Sequence, residues 1–290
     1  MLKGYTKQEI SWMMYDWANS AHSVIIVTLL PIFFDTVAGY TADSVSSMST
    51  WGYATSIAML IVALAAPFLG VFGDIRGMRK KLFSFFMLLG VAACAGMAFT
   101  PGMDFTSGPV AAGKVASLIL VLYIVSVIGF DASAIYYDAF LTDVTIEDRM
   151  DKVSTMGYGL GYIGGSTIPL LIFLIMNLVG VPMLTCLAFV FGLTAVWWLA
   201  FSLPLLKNCE QTSGKPYEKG DVARSIKGVG TTIKEIIANK PMLIYILSYF
   251  FYIDGVHTVI SMATTYGTNL GLDSTGMMLA LLLVQILGLP

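Results

Sequence analysis

Residues 15–38 read YDWANSAHSVIIVTLLPIFFDTVA, a polar segment followed by a long apolar run. An α-helix needs about 20 apolar residues to cross the hydrocarbon core of a bilayer, so the run predicts a membrane span over 16–38. Three polar side chains, Asp16, Asn19 and His22, lie in or beside that span. Such groups are costly there and usually face a water-filled path or a polar partner. The stretch therefore predicts both a membrane fold and a functional site.

The composition extends this interpretation to the whole chain. It is 57% hydrophobic and 12% charged, with a mean hydropathy of +0.80, whereas soluble domains carry about 25% charged residues. The fold class is therefore predicted to be an all-α polytopic membrane protein in contact with the lipid bilayer. No basic face points to nucleic acid, and the three cysteines lack the spacing of metal ligands, so neither a metal nor another cofactor is expected. A cleavable signal peptide is not expected either, because the first apolar run is too long.

Eight apolar runs are separated by segments that carry glycine, proline or charge. The eighth reaches Pro290 after 16 residues, so we expect the chain to end inside a helix, either as a fragment or as a chain that pairs with another. The predicted spans are 16–38, 49–73, 82–99, 115–140, 154–179, 183–206, 241–266 and 275–290.

The distribution of basic residues predicts the orientation. Of the 16 lysines and arginines, 15 fall on one side of the predicted topology, and Lys114 is the exception. Because basic residues are enriched in cytoplasmic loops, the N-terminus is predicted to be cytoplasmic.

The connection over 207–240 contains apolar residues at helical spacing, interleaved with basic ones. This pattern predicts an amphipathic helix on the inner leaflet; a linker helix that only tethers the flanking spans is the alternative. The apolar positions are Val222, Ile226, Val229, Ile233 and Ile237.

The loop between spans two and three, GVFGDIRGMRKK over 70–81, contains Gly70, Asp74, Arg76, Gly77 and Arg79. It resembles the signature cytoplasmic loop of the major facilitator superfamily, in which glycines allow a tight turn and the aspartate latches a gate through hydrogen bonds. Ile75 stands where that pattern usually has a basic residue, and Arg76 follows one step later. An ordinary basic turn is the alternative.

Six spans, a basic loop and further spans are also the layout of that superfamily, which consists of two six-helix halves. The resemblance implies a six-helix N-terminal half over 1–206, a cytoplasmic loop with an amphipathic helix over 207–240, and the start of a C-terminal half over 241–290.

Several separated stretches resemble the vacuole-effluxer (autophagy-related) family within this superfamily. They are YDWANSA at 15–21, PIFF at 31–34, YYDAFL at 136–141, GYGLGYIGG at 157–165 and YFFYIDGV at 249–256. The resemblance implies a secondary transporter of a small molecule, with amino-acid efflux as the suggested activity. It also implies a multi-pass protein of a prokaryotic plasma membrane.

The two histidines lie in nearly identical pentapeptides, AHSVI at 21–25 and VHTVI at 256–260. The predicted spans one and seven are equivalent in a two-half repeat, so His22 and His257 are predicted to face each other across a central cavity. A histidine titrates near pH 6.5 and Asp254 could hold its proton, so His22, His257 and Asp254 are candidates for proton coupling. Histidines that form hydrogen bonds within the helix bundle are the alternative.

Further polar residues and glycines lie within the predicted spans four, one and five. Asp131 and Asp138 share a face of span four, and Asp131 is a candidate to meet a substrate amine or a proton. Structural hydrogen bonds are the alternative for both, and a favourable helix-dipole interaction is the alternative for Asp16. In span five, glycines at 157, 161 and 165 predict close helix contact; a smooth face on which helices slide is the sharper hypothesis.

A secondary active transporter is the predicted function. A membrane scaffold or receptor that kept the fold is the main alternative. An enzyme is not expected, because the chain has two histidines and no His-x-x-x-His spacing, and no catalytic residue is assigned.

Overall fold

The computed structural model describes residues 3–41, 47–214, 216 and 221–287. Within them, the chain consists of helices joined by short connections. The α-helices are α1 (Lys7–Ala38), α2 (Ser47–Gly73), α3 (Arg79–Met97), α4 (Pro109–Val144), α5 (Glu147–Leu160), α6 (Thr167–Leu178), α7 (Met183–Asn208), α8 (Asp221–Ala238), α9 (Lys240–Asn269) and α10 (Ser274–Leu287). A 3-10 turn (Thr100–Gly102) follows α3, and a π-helical turn (Gly161–Ser166) joins α5 to α6.

In the described part of the chain, seven helical segments are long and apolar enough to cross a membrane. They are α1, α2, α3 with its 3-10 turn, α4, the continuous segment Glu147–Leu178 (the fifth span), α7 and α9. The first seven predicted spans are therefore confirmed, although most of the helices run longer than predicted. The eighth predicted span corresponds to α10, which is shorter than the others, and its last three residues, 288–290, lie outside the described residues.

The first helix begins before its apolar run because its N-terminus is capped. The Thr6 side chain accepts a hydrogen bond from the Glu9 amide, and the Glu9 carboxylate accepts one from the Thr6 amide. This reciprocal arrangement satisfies two backbone donors that a helix start leaves free. The cap extends α1 beyond the predicted start of the span to Lys7.

The first helix is the centre of the bundle. In its most apolar stretch 72% of the residues are buried, against 11% for α2 and 0% for α9. It packs against α4, α7 and the fifth span. A helix that is apolar all round is stable when other helices surround it, so α1 positions any site that is built on it.

Glycines set the closest helix crossing. A Cβ atom at Gly129 of α4 would lie 2.5 Å from the Gly90 nitrogen of α3 and 2.8 Å from the Phe86 carbonyl oxygen. These are backbone atoms, which cannot move aside. Between membrane helices, where lipid is as apolar as the side chains, close packing of small residues supplies much of the attraction.

The ends of the helices that carry most of the basic residues lie together, and we call this end of the bundle the basic side. It contains the start of α1, the α2–α3 and α4–α5 loops and the end of α7, which contact one another through side-chain hydrogen bonds. The helix predicted in the following connection is confirmed as α8. Its residues Ile233 and Ile237 are exposed, and the side chains of Val222, Arg224 and Ile226 lie outside the described residues. Its position on a leaflet stays a prediction.

The α3–α4 crossing gives a first prediction. We expect Gly129→Ala to destabilise the protein by about 1–3 kcal/mol, because the added methyl group overpacks a backbone contact. Gly113→Ala is the matched control, since it lies on the same helix with open space around it. The melting temperature of the purified full-length protein in detergent measures both. Equal melting temperatures for the two variants would contradict the crossing.

Candidate functional site

Asp16 of α1 forms a buried hydrogen bond with Tyr137 of α4. The Tyr137 hydroxyl donates to Asp16 Oδ2 at 2.7 Å, and Asp16 is only 7% exposed. At a rise of 1.5 Å per residue, Asp16 lies about 14 Å from the start of α1 and Tyr137 about 10 Å from the end of α4. The pair therefore lies inside the spans, toward the basic side.

Aromatic side chains hold Tyr137 in place. The Trp12 ring stacks on it with a centroid distance of 4.3 Å, and Trp12 Nε1 donates to the Tyr137 carbonyl oxygen at 2.9 Å. The neighbouring Tyr15 hydroxyl is 2.8 Å from Ser133 Oγ and accepts a hydrogen bond from Trp198 Nε1 at 3.3 Å. Because α1, α4 and α7 all contribute, the Tyr137 hydroxyl has a defined position relative to Asp16.

The glycines of the fifth span pack directly on this part of α1, which confirms the predicted close contact. A Cβ atom at Gly157 would collide with Asp16 Oδ2, one at Gly161 would lie 2.5 Å from Ser20 Oγ, and one at Gly165 would lie 2.5 Å from the Trp17 carbonyl oxygen. The π-helical turn is located at this contact, and such turns are frequent at functional sites. The sliding of this face stays a prediction.

The remaining polar residues of α1 and α4 differ in burial. Asn19 is 8% exposed, one turn beyond Asp16. Asp131 Oδ2 is buried and has no hydrogen-bond partner among the described residues. Asp138 is exposed, yet it lies near enough for its charge to act on Asp16. The structure thus brings Asp16 and Asp138 together and leaves Asp131 deeper in the bundle.

The prediction that His22 faces His257 across a cavity is wrong. The His22 ring is 3% exposed and is enclosed by Phe130 of α4, at 4.8 Å, and Trp198 of α7, at 5.0 Å. Neither ring nitrogen has a hydrogen-bond partner in the described part of the chain, so the hydrogen-bonded alternative is not met either. The side of α1 that carries His22 packs into the six-helix bundle, and a repeated pentapeptide does not determine which way a helix is turned.

On α9, Asp254 and His257 are both exposed. This helix buries Thr264, Thr265 and Gly267 near its other end. The two candidates of α9 are therefore exposed and one turn apart, whereas His22 is buried against Phe130 and Trp198.

In the α2–α3 loop, Gly77 has φ +79°, a conformation that glycine adopts without strain. Gly70 has open space around it, and Asp74 and Arg76 are exposed. Arg79 is the residue that forms an ion pair, with Asp143 at the end of α4. Of the two basic candidates in this loop, the structure therefore places Arg79 in an ion pair, and the latch through Asp74 stays a prediction.

The segment after α7 covers this ion pair, and we call residues 211–213 the clasp. Gln211 accepts a hydrogen bond from the Gly77 amide at 2.8 Å and donates to the Gly73 carbonyl oxygen at 3.0 Å. The Ser213 amide and hydroxyl donate to Asp143 Oδ1 at 2.9 and 2.7 Å. Beside the clasp, burial raises the pKa of the Cys209 thiol to about 12, so it serves as a packing group.

A second ion pair joins the start of α1 to α5. Arg149 donates from Nε to Glu9 Oε1 at 2.9 Å and from Nη2 to Glu9 Oε2 at 2.8 Å, and Thr145 also donates to this carboxylate. The sequence did not predict the roles of Glu9, Asp143 and the clasp, because polar residues are ordinary in loops and at helix ends. Tyr137 belongs to the YYDAFL stretch at 136–141, but no sequence pattern identifies it as the partner of Asp16.

Among the described residues, no group of three or more histidine, cysteine or acidic side chains is arranged to hold a metal ion. The polar groups that the described part of the chain places inside the spans include the carboxyl groups of Asp16 and Asp131, the phenol of Tyr137 and the amide of Asn19.

The clasp gives a second prediction. We expect Asp143→Asn to lower stability by about 3–5 kcal/mol, because it leaves Arg79 buried without its counter-charge. Limited proteolysis of the full-length protein should then cut faster just after α7, together with a lower melting temperature. Asp148→Asn, an exposed carboxylate on the same side, is the matched control and should change neither. Unchanged proteolysis in Asp143→Asn would refute the clasp.

Comparison with known proteins agrees with this architecture. A family model described as "Vacuole effluxer Atg22 like" matches residues 39–150 and 142–289. An "Uncharacterized MFS-type transporter YxiO" of Bacillus subtilis is 39% identical over 298 residues, which cover all of this chain and 67% of that protein. "Autophagy-related protein 22-1" is 26% identical in both Penicillium rubens, over 159 residues, and Sclerotinia sclerotiorum, over 131 residues.

The Penicillium rubens match covers 51% of this chain and 27% of that protein. The Sclerotinia sclerotiorum match covers 40% of this chain and 22% of that protein. This chain therefore spans about a quarter of the length of each fungal protein. The matches of the family model cover most of the chain, and the Bacillus subtilis relative covers all of it. The chain is an all-α multi-pass membrane protein of the major facilitator type, and it belongs to the vacuole effluxer Atg22-like family.

Proposed function

We propose that this chain belongs to a secondary transporter that moves a small polar solute across the membrane by alternating access, coupled to protons. The supporting observation is a set of polar groups within the spans, namely the buried side chains of Asp16 and Asn19 and the buried carboxylate oxygen Oδ2 of Asp131. Polar groups at this depth are retained where they meet a substrate, an ion or a proton. The names of the relatives support transport as the class of function.

Amino-acid efflux is the substrate class and direction that we propose. An amino acid offers an ammonium group, and Asp131 has a buried carboxylate oxygen without a partner among the described residues. The exposed Asp254 and His257 on α9 would complete the polar lining once the rest of a second half, or another chain, faces them.

Reconstitution of the full-length protein in proteoliposomes tests this proposal. Vesicles loaded with unlabelled amino acids should take up tritiated amino acids by counterflow, and a thermal-shift screen at two pH values would select the amino acids. A receptor or scaffold that kept the fold predicts no counterflow with any of them. That result would overturn the proposed function.

Asp131→Asn gives a third prediction. A hydrogen bond to a charged group contributes about 1.5–3 kcal/mol, so the variant should weaken amino-acid binding about tenfold or more. Concentration-dependent counterflow measures the change. Asp104→Asn, in the exposed α3–α4 connection, is the control and should leave it unchanged. Equal affinity in Asp131→Asn and the unmodified protein would remove Asp131 from the substrate site.

A further inference from the structure

We infer that Asp16 is the carboxyl group that takes up and releases the coupling proton, and that the glycine-faced contact between α1 and the fifth span controls its access to water. The inference rests on the proposed function and names the group that carries the proton.

Asp16 has no cationic partner in the described part of the chain. The two ion pairs of the described residues are Arg79–Asp143 and Arg149–Glu9, and both lie at the basic side. The single hydrogen bond to Asp16 from another side chain in that part of the chain comes from the Tyr137 hydroxyl. A carboxylate buried without a counter-charge costs several kcal/mol.

The titratable groups near enough to act on Asp16, within the residues that the structure describes, are acids or phenols. Tyr15 comes from α1, Tyr137 and Asp138 come from α4, and Tyr158 comes from α5. Each of them would repel a negative charge on Asp16 if it were itself ionised. The neutral acid, with Tyr137 donating to one oxygen and the proton on the other, is the form that fits these surroundings.

The space around Asp16 suits a proton better than a larger cation. Gly157 lies so close that even a methyl group there would collide with Oδ2, and the Trp12 ring would lie 3.3 Å from that methyl group. An ammonium group needs room and several acceptors, whereas a proton needs neither. Asp131, with its unpartnered oxygen deeper in the bundle, is the position left for the solute.

The same contact supplies a route to water. Gly157, Gly161 and Gly165 present no side chains that interlock with α1, and the Arg149–Glu9 ion pair joins the two helices only at the basic side, so the glycine-faced part of the contact can open while that pair stays formed. When the contact is open, Asp16 meets water, and its carboxyl group releases the proton to a water molecule. When the contact closes again, Asp16 must bind a proton, and no electron transfer is involved.

His22 is a poor alternative proton carrier. Its ring nitrogens have no hydrogen-bond partner among the described residues, and two aromatic rings enclose it. A positive charge there would lack a polar partner to stabilise it.

The fourth prediction separates exchange from proton-driven uptake in the full-length protein. With one proton per solute, a gradient of one pH unit supports about tenfold accumulation of tritiated amino acids. We expect Asp16→Asn to abolish this accumulation and to retain counterflow exchange, which needs no net proton movement. Asp148→Asn is the control and should keep both activities.

Accumulation that persists in Asp16→Asn would overturn the inference while leaving the proposed function intact. A protein without counterflow or accumulation in any form would overturn the proposed function instead.

A second measurement does not require transport or a tolerant Asn variant. The infrared carbonyl stretch of a protonated carboxylic acid should be present in the unmodified protein near neutral pH and absent in Asp16→Asn. In Tyr137→Phe the band should shift to higher frequency, because the acid loses its hydrogen-bond donor. A spectrum without this band, or one that is the same in Tyr137→Phe, would show that Asp16 is not held as the acid.

Discussion

The close contact between residues 16–20 of α1 and the glycines of the fifth span is the constraint on which the rest of the structure depends. Neither Gly157 nor Gly161 leaves room for a methyl group against α1. Lipid provides no hydrophobic force between helices, so such close approach is a main source of attraction. It holds α1 in the centre of the bundle, and from there Asp16 reaches Tyr137.

The charged groups form two classes, which differ in their position along the helices and in whether they have a partner of opposite charge. At the basic side, Arg79 with Asp143 and Arg149 with Glu9 join the ends of the helices, and additional hydrogen bonds satisfy each carboxylate. Inside the spans, Asp16 and Asp131 have no cationic partner among the residues that the structure describes. Paired charges of the first class stabilise one arrangement of helix ends, whereas unpaired carboxyl groups of the second class are costly unless they bind something. We therefore infer a structural role for the ion pairs at the helix ends and a role in transport for the carboxyl groups inside the spans.

The sequence predicted most of the fold because span length, glycine spacing and basic loops are local properties. The seven long helices and the contact of Gly157, Gly161 and Gly165 are confirmed for this reason. The site was predicted less well. Asp16, Asn19 and His22 are all buried within the first helix. His22, however, packs between Phe130 and Trp198 and does not face His257. Asp143 was missed because its partners, Arg79 and Ser213, lie far away in the chain.

By itself, the sequence determined that this protein crosses the membrane several times, which side carries the basic loops, and which residues are polar within the spans. These properties follow from apolar length and charge, which each segment carries alone. Only the tertiary structure decided that Tyr137 is the partner of Asp16, that His22 is enclosed by rings and that the clasp covers Arg79. The reason is that a helix of 3.6 residues per turn offers several faces, and only its packing against neighbouring helices selects which face each side chain meets.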